Sequence, residues 1–437
     1  LGKVSQPEHK EFFWLVSALL LSLGILGLIF AIVPFIIIFI FSSFIFIFIA
    51  VVYLLEFWDS KPEKLLKRRP GVSVIVSAFN SSQTIERSLD SILAMDYPKK
   101  VPVFVVEDAS TDDTFTKLKK YSKRITIIRN KENQGKAASI NQALKRIKTD
   151  YVACIDSDTF PNKNALEKMM PHFTARNVGA VIALICVDKA RNFVQKIQQV
   201  EYYVSFGFWH TALAQLDSLL VTPGPMSVYS MEALRKVGGF DEGNITEDME
   251  IALHLQSEGY RIKCTTDAKV YTEVPDSWRK LYKQRLRWLR GKIFNGWTYS
   301  RMLFNAKHGD FGKFAYPASF VNELLGVVVV TRVLLLYATK SFNVFLGAIG
   351  LAAVDASLLY DLSIYSNSVL NSSFLFFVFT LLLWAYIVIV SFKLANEKIH
   401  WAHVPAAIAY MAFYAMFISL VYFSSILHEA VGAERKW

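Results

Sequence analysis

Two aspartates separated by one residue, Asp156 and Asp158, follow directly on an apolar run at 151–155, Tyr-Val-Ala-Cys-Ile. A buried strand that ends on two acids presents them beyond its carboxyl end, where open α/β sheets hold their ligands. Hard divalent cations take oxygen donors, and magnesium is often held by one or two carboxylates, with substrate phosphates completing the shell. An ordinary acidic turn after a strand has the same sequence signature. The pair therefore acquires meaning only from what else reaches the same edge.

Other strand ends do reach it. Apolar runs at 72–79 and 101–106 stop at Asn80 and at Glu107-Asp108, and a third lies at 125–128. Helical spacing separates them at 84–93 and 135–148. This alternation predicts βαβ units and a mostly parallel sheet, so Asn80, Asp108 and Asp156 should line one edge. No G-x-G-x-x-G follows the first strand, which argues against a dinucleotide. Asn133-Gln-Gly-Lys136 lacks the upstream glycine and the Ser/Thr of a P-loop. Gly135 and Lys136 at a helix start still offer N–H groups and a cation to a phosphate; a solvent-facing lysine at an ordinary helix start fits the same residues.

Further along, 178–187 reads as a strand. Residues 193–216 read as one helical stretch whose aromatics, Tyr202, Tyr203, Phe206, Phe208 and Trp209, are expected to pack in a core. Pro223, Gly224 and Pro225 force a turn that a ligand can approach. Thr246-Glu247-Asp248 opens a helix reaching 257, with Thr246 as its expected cap and the acids at the positive end of its dipole.

The chain has 437 residues, 53% of them hydrophobic, and a formal net charge of +11. No charged residue occurs from 12 to 55. As helix that run is roughly 66 Å long, about twice a bilayer core, and Pro34 supplies a turning point for two transmembrane helices. Lys61, Lys64, Lys67, Arg68 and Arg69 follow at once, placing the central domain in the cytoplasm by the positive-inside rule. The excess positive charge is then a matter of topology and of anionic lipid or substrate, and no nucleic-acid module accompanies it. Cys154, Cys186 and Cys264 form neither a metal pattern nor a disulfide framework.

Residues 276–303 form a basic amphipathic segment expected at the headgroup boundary. Apolar stretches at 320–339, 342–360, 373–392 and 401–427 follow. The second contains Asp355 and is read as a partial or re-entrant span, because the loop at 362–372 carries no Lys or Arg. Asn322, Glu323, Arg332 and Asp355 are either a polar path or interfacial side chains. The organisation expected is a transmembrane hairpin at 1–60, a basic linker at 61–70, a catalytic domain at 71–275, interface helices at 276–318, three or four transmembrane helices at 319–428 and a tail at 429–437.

In order, the motifs are Ala78-Phe-Asn80, Glu107-Asp108, Asn133-x-Gly-Lys136, Asp156-Ser-Asp158, Thr246-Glu247-Asp248 and Gln284-Arg-Leu-Arg287-Trp288. This set resembles the membrane-embedded, processive family 2 glycosyltransferases, the hyaluronan, chitin, cellulose and poly-N-acetylglucosamine synthases. The resemblance implies a GT-A domain, α/β and nucleotide-sugar-binding, inserted between N- and C-terminal transmembrane helices of a plasma-membrane protein. It implies an inverting transfer from a UDP-sugar to a growing polysaccharide or a lipid-linked acceptor, with Mg2+ or Mn2+, beside membrane lipid and with translocation of the polymer. By motif, Asp248 looks like the base, flanked by Thr246 and Glu247, and Asp158 like the metal ligand. Ala78, Asn80, Glu107, Asp108, Lys136 and Asp156 would meet the nucleotide sugar, while Gln284, Arg287 and Trp288 would meet the diphosphate and acceptor. Two positions depart from the pattern: Ser81 stands where many relatives carry an acid, and Glu107-Asp108 replaces a pair of aspartates. The rivals are a single-transfer enzyme making a glycolipid and a non-catalytic nucleotide-binding membrane protein.

Overall fold

The structure is a computed structural model that describes residues 69–174, 177–348 and 372–434. The expected N-terminal hairpin, nearly all of the basic linker, and Asp355 lie outside the described residues.

The apolar runs become strands β1 (Val72–Ala78), β2 (Val103–Glu107), β3 (Thr126–Arg129) and β4 (Tyr151–Asp156), which pair in parallel in the order β3-β2-β1-β4. Both faces are covered, which is why these strands are almost continuously apolar. Val72, Val74 and Val76 pack with Ile85, Leu89 and Ile92 of α1 (Ile85–Leu93), whose 3–4 spacing lays one helical face on the sheet. On the other face Ile75 packs with Ile140 and Ala143 of α3 (Lys136–Leu144), and α2 (Thr114–Lys119) connects β2 to β3.

Beyond β4 the sheet reverses. The short β5 (Thr159–Pro161) and α4 (Ala165–Met169) lead to β6 (Val178–Val187), and the complete order is β3-β2-β1-β4-β7-β6-β8-β5. β7 (Ser227–Ser230) runs antiparallel to both β4 and β6, and β8 (Arg261–Thr272) runs parallel to β6 and antiparallel to β5. The mostly parallel sheet expected is thus a mixed one. The turn before β7 lies at the carboxyl end of β4, where the Asp156 N–H donates to Gly224 O (3.2 Å), so a strand leaving it must run back against β4.

The single helix expected at 193–216 is α5 (Phe193–Tyr202), a π-helical turn at Tyr203–Trp209 and α6 (His210–Gln215). Its aromatics do pack: Tyr203 meets Phe392 edge-on, 4.9 Å between centroids, and Phe208 is fully buried. After α7 (Met231–Val237) and α8 (Glu247–Ser257) comes α9 (Trp278–Thr298), the basic segment. Its first turns are exposed at Arg279, Lys280 and Lys283, but further along Leu289 and Ile293 pack against Val327, Val421 and Ile426, and Arg285, Arg290 and Lys292 turn inward. Arg290 donates to Glu429 Oε1 (2.5 Å) and to the carbonyls of Ala433 and Glu434, while Lys292 pairs with Glu323 (2.6 Å).

The C-terminal elements are α10 (Tyr316–Ala348), α11 (Ser372–Leu394), α12 (Val404–Ala409) and α13 (Ala415–Ala430). α10 runs unbroken through 340–341, where two separate stretches were expected. Among the described residues, Phe311–Arg332 and Trp401–Ala430 are long and apolar enough to cross a membrane, and Leu381–Leu394 is a shorter apolar helix.

Candidate active site

One cleft of about 600 Å³ opens at the carboxyl edge of β1, β2 and β4, and α9 forms its far wall. It gathers Asp108, Lys136, Asp156, Asp158, Glu247, Asp248, Gln284, Arg287 and Trp288. Nine of the thirteen site residues expected from sequence, drawn from six elements or their ends, therefore meet at one place. The four others stand behind it. Ala78 is a fully buried residue of β1, and Asn80 Oδ1 accepts from the Thr111 N–H (2.9 Å), tying the loop after β1 to the loop after β2. Asn80 has φ 48°, a left-handed conformation that asparagine tolerates better than most residues. Glu107 points into that loop, accepting from Ser110 N (2.5 Å) and Arg129 Nε (3.1 Å). Thr246 is the fourth.

Asp108 lines the cleft but its carboxylate is occupied. It accepts from Asn130 Nδ2 (2.7 Å), Gln134 N (3.0 Å) and Gly135 N (2.8 Å), and so fixes the glycine that starts α3. Gly135 sits at φ 86°, which a β-carbon would oppose. That turn delivers Lys136 into the cleft, where Nζ pairs with Asp156 Oδ1 (2.6 Å) and Glu247 Oε1 (3.0 Å). The lysine is thus no solvent-facing cation. Two carboxylates hold its pKa well above the ordinary lysine value against a burial that works the other way.

Asp158 is free of such a cation. Its nearest partners are two hydroxyls at the edge of hydrogen-bond range, Thr272 (3.4 Å) and Thr159 (3.5 Å). Burial, reinforced by the charge of Asp156, pushes its carboxyl up to about 7. Ser81, the position without an acid, shares a hydrogen bond with Ser157 Oγ (2.7 Å) and so ties the loop after β1 to the middle of Asp156-Ser-Asp158.

At the start of α8 the expected cap is absent. The Thr246 side chain does not bond to the helix; its hydroxyl pairs with Asn244 Oδ1 (3.2 Å) and receives Asn295 Nδ2 from α9 (3.0 Å). A β-carbon on Gly291 of α9 would fall 2.1 Å from Thr246 Oγ1, so this glycine is what lets the two helices approach. The contact sets Asp248 and Arg287 on facing sides of the cleft. Arg287 donates to Ile245 O (3.1 Å). Burial and the neighbouring Glu247 push Asp248 up to about 6, with Lys136 and Arg287 pulling the other way. The second oxygen of Glu247 is buried without a hydrogen-bond partner among the described residues.

The cleft also recruits residues not singled out by motif: Phe79, Ser157, Tyr202, Thr272 and Glu273. Phe79 could have been found, because it lies inside Ala78-Phe-Asn80 and is 46% exposed despite its apolar ring. Thr272 and Glu273 could not, since β8 carries no site motif and reaches the cleft only through its pairing with β6 and β5, which sets Thr272 opposite Thr159 beside Asp158.

A parallel half-sheet, a mixed half that follows it, acids at the carboxyl end of β4 and a half-buried acid on a later helix are the arrangement of a GT-A fold. Residues 73–238 match the family model described as Glycosyl transferase family 2. The chain is 30% identical over 236 residues to a poly-beta-1,6-N-acetyl-D-glucosamine synthase of Staphylococcus aureus, covering 53% of this chain and 57% of that protein. The synthase of the same name from Staphylococcus epidermidis is 29% identical over 224 residues, covering 51% and 54%. The chain thus spans just over half the length of these curated relatives. Among solved structures, a mannosyltransferase from Pyrobaculum calidifontis, in complex with GDP-Man and Mn2+, superposes with a TM-score of 0.54 at 22% identity, over 81% of this chain and 97% of that one.

Proposed function

We propose that this protein is an inverting membrane glycosyltransferase that builds a polysaccharide from a UDP-sugar, with its catalytic domain on the cytoplasmic side of the plasma membrane. The observation that carries the proposal is the convergence in one cleft of the half-buried Asp248, of Asp158 after β4 with no cationic partner, and of the Gln284-Arg287-Trp288 wall. The names of the Staphylococcus relatives make UDP-N-acetylglucosamine the first donor to test.

In the reaction an acceptor hydroxyl forms a bond to the anomeric carbon as the bond from that carbon to the diphosphate oxygen breaks. Asp248, a carboxylate above pH 6, takes the hydroxyl proton, and UDP departs with the bonding electrons. Its raised basicity suits the task better than that of an ordinary aspartate. Arg287, across the cleft, faces the negative charge that collects on the diphosphate. Trp288 and Gln284 offer a stacking face and an amide to the acceptor sugar. Lys136 holds Asp156 and Glu247 apart from each other's charge, so the donor end of the cleft keeps its shape before nucleotide enters.

The donor set fits a divalent cation. Asp158 is a half-buried, cleft-facing carboxylate without a cationic partner, and among the described residues no group of three or more His, Cys, Asp or Glu side chains forms a cage. One carboxylate with the diphosphate and water is a composition that Mg2+ or Mn2+ accepts. Asp158 would hold it, and when bound it supplies positive charge to the leaving diphosphate. UDP release from UDP-N-acetylglucosamine by the purified full chain, with Mn2+ and then with excess chelator, tests the proposal. Release abolished by chelator is expected; no release from any UDP-sugar would refute it.

A further inference from the structure

Between the cleft and the C-terminal helices lies Arg285, the second residue of Gln284-Arg-Leu-Arg-Trp288, and only 2% of it is exposed. Its guanidinium touches four groups on three elements. Nη2 pairs with Glu201 Oε2 of α5 (2.6 Å), Nε donates to the Tyr414 hydroxyl (3.2 Å), and Nη1 donates to Gln284 Oε1. Its Cζ lies over the Trp288 ring, 4.1 Å from the centroid. Tyr414 closes the ring of bonds by donating to the same Glu201 oxygen (2.7 Å). Tyr414 belongs to the helical segment 401–430, one of the two long enough to span a bilayer. Glu201 is adjacent to Tyr202, which lines the cleft.

Burying a charge pair costs desolvation that its attraction only partly returns, so mere adhesion between helices would be served as well by apolar contacts. What an arginine adds is a planar fork that fixes direction. Here the fork grips Gln284 by one edge and Trp288 by its face, two of the three α9 side chains that wall the cleft, and Arg287 lies between them in sequence. Its remaining edges are fixed by the catalytic domain and by a membrane helix.

We propose that Arg285 is a positioning residue. With Glu201 and Tyr414 it sets Gln284, Arg287 and Trp288 over the bound nucleotide, so that the closed wall forms only when the membrane helix carrying Tyr414 is docked. The membrane segment is thereby part of the active site's geometry as well as its anchor. This rests on the glycosyltransferase reading above.

The test is a double-mutant cycle on the full chain in lipid nanodiscs, using Arg285→Lys, Glu201→Gln, Tyr414→Phe and the Tyr414→Phe/Arg285→Lys pair. Two quantities are read: kcat and KM for the UDP-sugar, and the UDP-induced shift in unfolding temperature with Mn2+ present, which needs no turnover. Arg285→Lys should lower kcat about tenfold or more and raise KM by less than about threefold, because the wall matters most as charge develops. Tyr414→Phe, which deletes one oxygen, should lower kcat about threefold, and the pair should be no worse than Arg285→Lys alone, the mark of one shared network. In each of the three single variants the UDP-induced shift should shrink while the unfolding temperature without nucleotide stays close to the wild type. Additive losses, unchanged kcat in Tyr414→Phe and Glu201→Gln, or losses matched by a lower nucleotide-free unfolding temperature would overturn the proposal. A wild type that binds UDP but transfers no sugar would defeat the glycosyltransferase reading alone, and the cycle in the UDP-induced shift would still decide the network.

Discussion

At the scale of single residues, the account turns on unequal carboxylates. Asp156 is neutralised by Lys136, Asp158 has only hydroxyl partners, and Asp248 is half-buried beside the buried Glu247. Asp248→Asn should cut turnover by at least ~10²-fold while UDP still binds, since a positioned base contributes about that much. Because the folded protein raises the Asp248 pKa to about 6, it binds that proton more tightly than the unfolded chain does. The group's contribution to stability is therefore best at low pH and falls as pH rises through that window. Asp248→Asn should accordingly raise the unfolding temperature at pH 8 while destroying activity. Catalysis has the opposite dependence: kcat/KM should climb with pH to a limb near 6, where an ordinary aspartate would place the limb near 4. Most of these residues were legible in the sequence because the chemistry fixes their types and their places at strand ends. Their partners were not. Nothing in the spacing of Thr246-Glu247-Asp248 says that Thr246 bonds to Asn295 instead of capping its helix, or that Lys136 meets Glu247, since both depend on how α9 and α3 pack.

At the scale of elements, the cleft is a product of close approaches. Gly224 lies so near the acids that a β-carbon there would sit 2.4 Å from Asp156 Oδ2 and 2.5 Å from Lys136 Nζ. Gly224→Ala should displace that ion pair and weaken donor binding, read as an increase in the KM for the UDP-sugar, with the fold retained because flexible side-chain ends can shift. Gly291→Ala is expected to be worse. Its β-carbon meets the buried Thr246, so α9 must move off α8, taking Arg287 and Trp288 from Asp248 and lowering kcat as well as the unfolding temperature. The parallel half of the sheet was visible in the sequence as apolar runs ending on polar residues. The antiparallel half was not, because β7 is four residues long behind Pro225 and β8 alternates too irregularly to stand out. α9 was recognised as helical and amphipathic, yet its inward arginines imitate the basic face of a surface helix until their acid partners are known.

At the scale of the whole molecule, catalytic domain and apolar helices are one packed body. Tyr282 of α9 shares a hydrogen bond with Ser424 (2.6 Å), Arg290 is held by Glu429 and the carbonyls after it, and Lys292 by Glu323. A chain cut after residue 400 should therefore lose the UDP-induced stabilisation of the full chain, although every carboxylate of the cleft remains; retention of that stabilisation would show the domain to be self-sufficient. The most direct test is the product itself. Purified full-length protein is supplied with labelled UDP-N-acetylglucosamine, Mn2+ and lipid, and its products are separated by size before and after a polysaccharide hydrolase. The account predicts a ladder or high polymer that the hydrolase removes and that Asp248→Asn does not make; a single organic-extractable glycolipid, or no sugar transferred from any UDP-sugar, would contradict it.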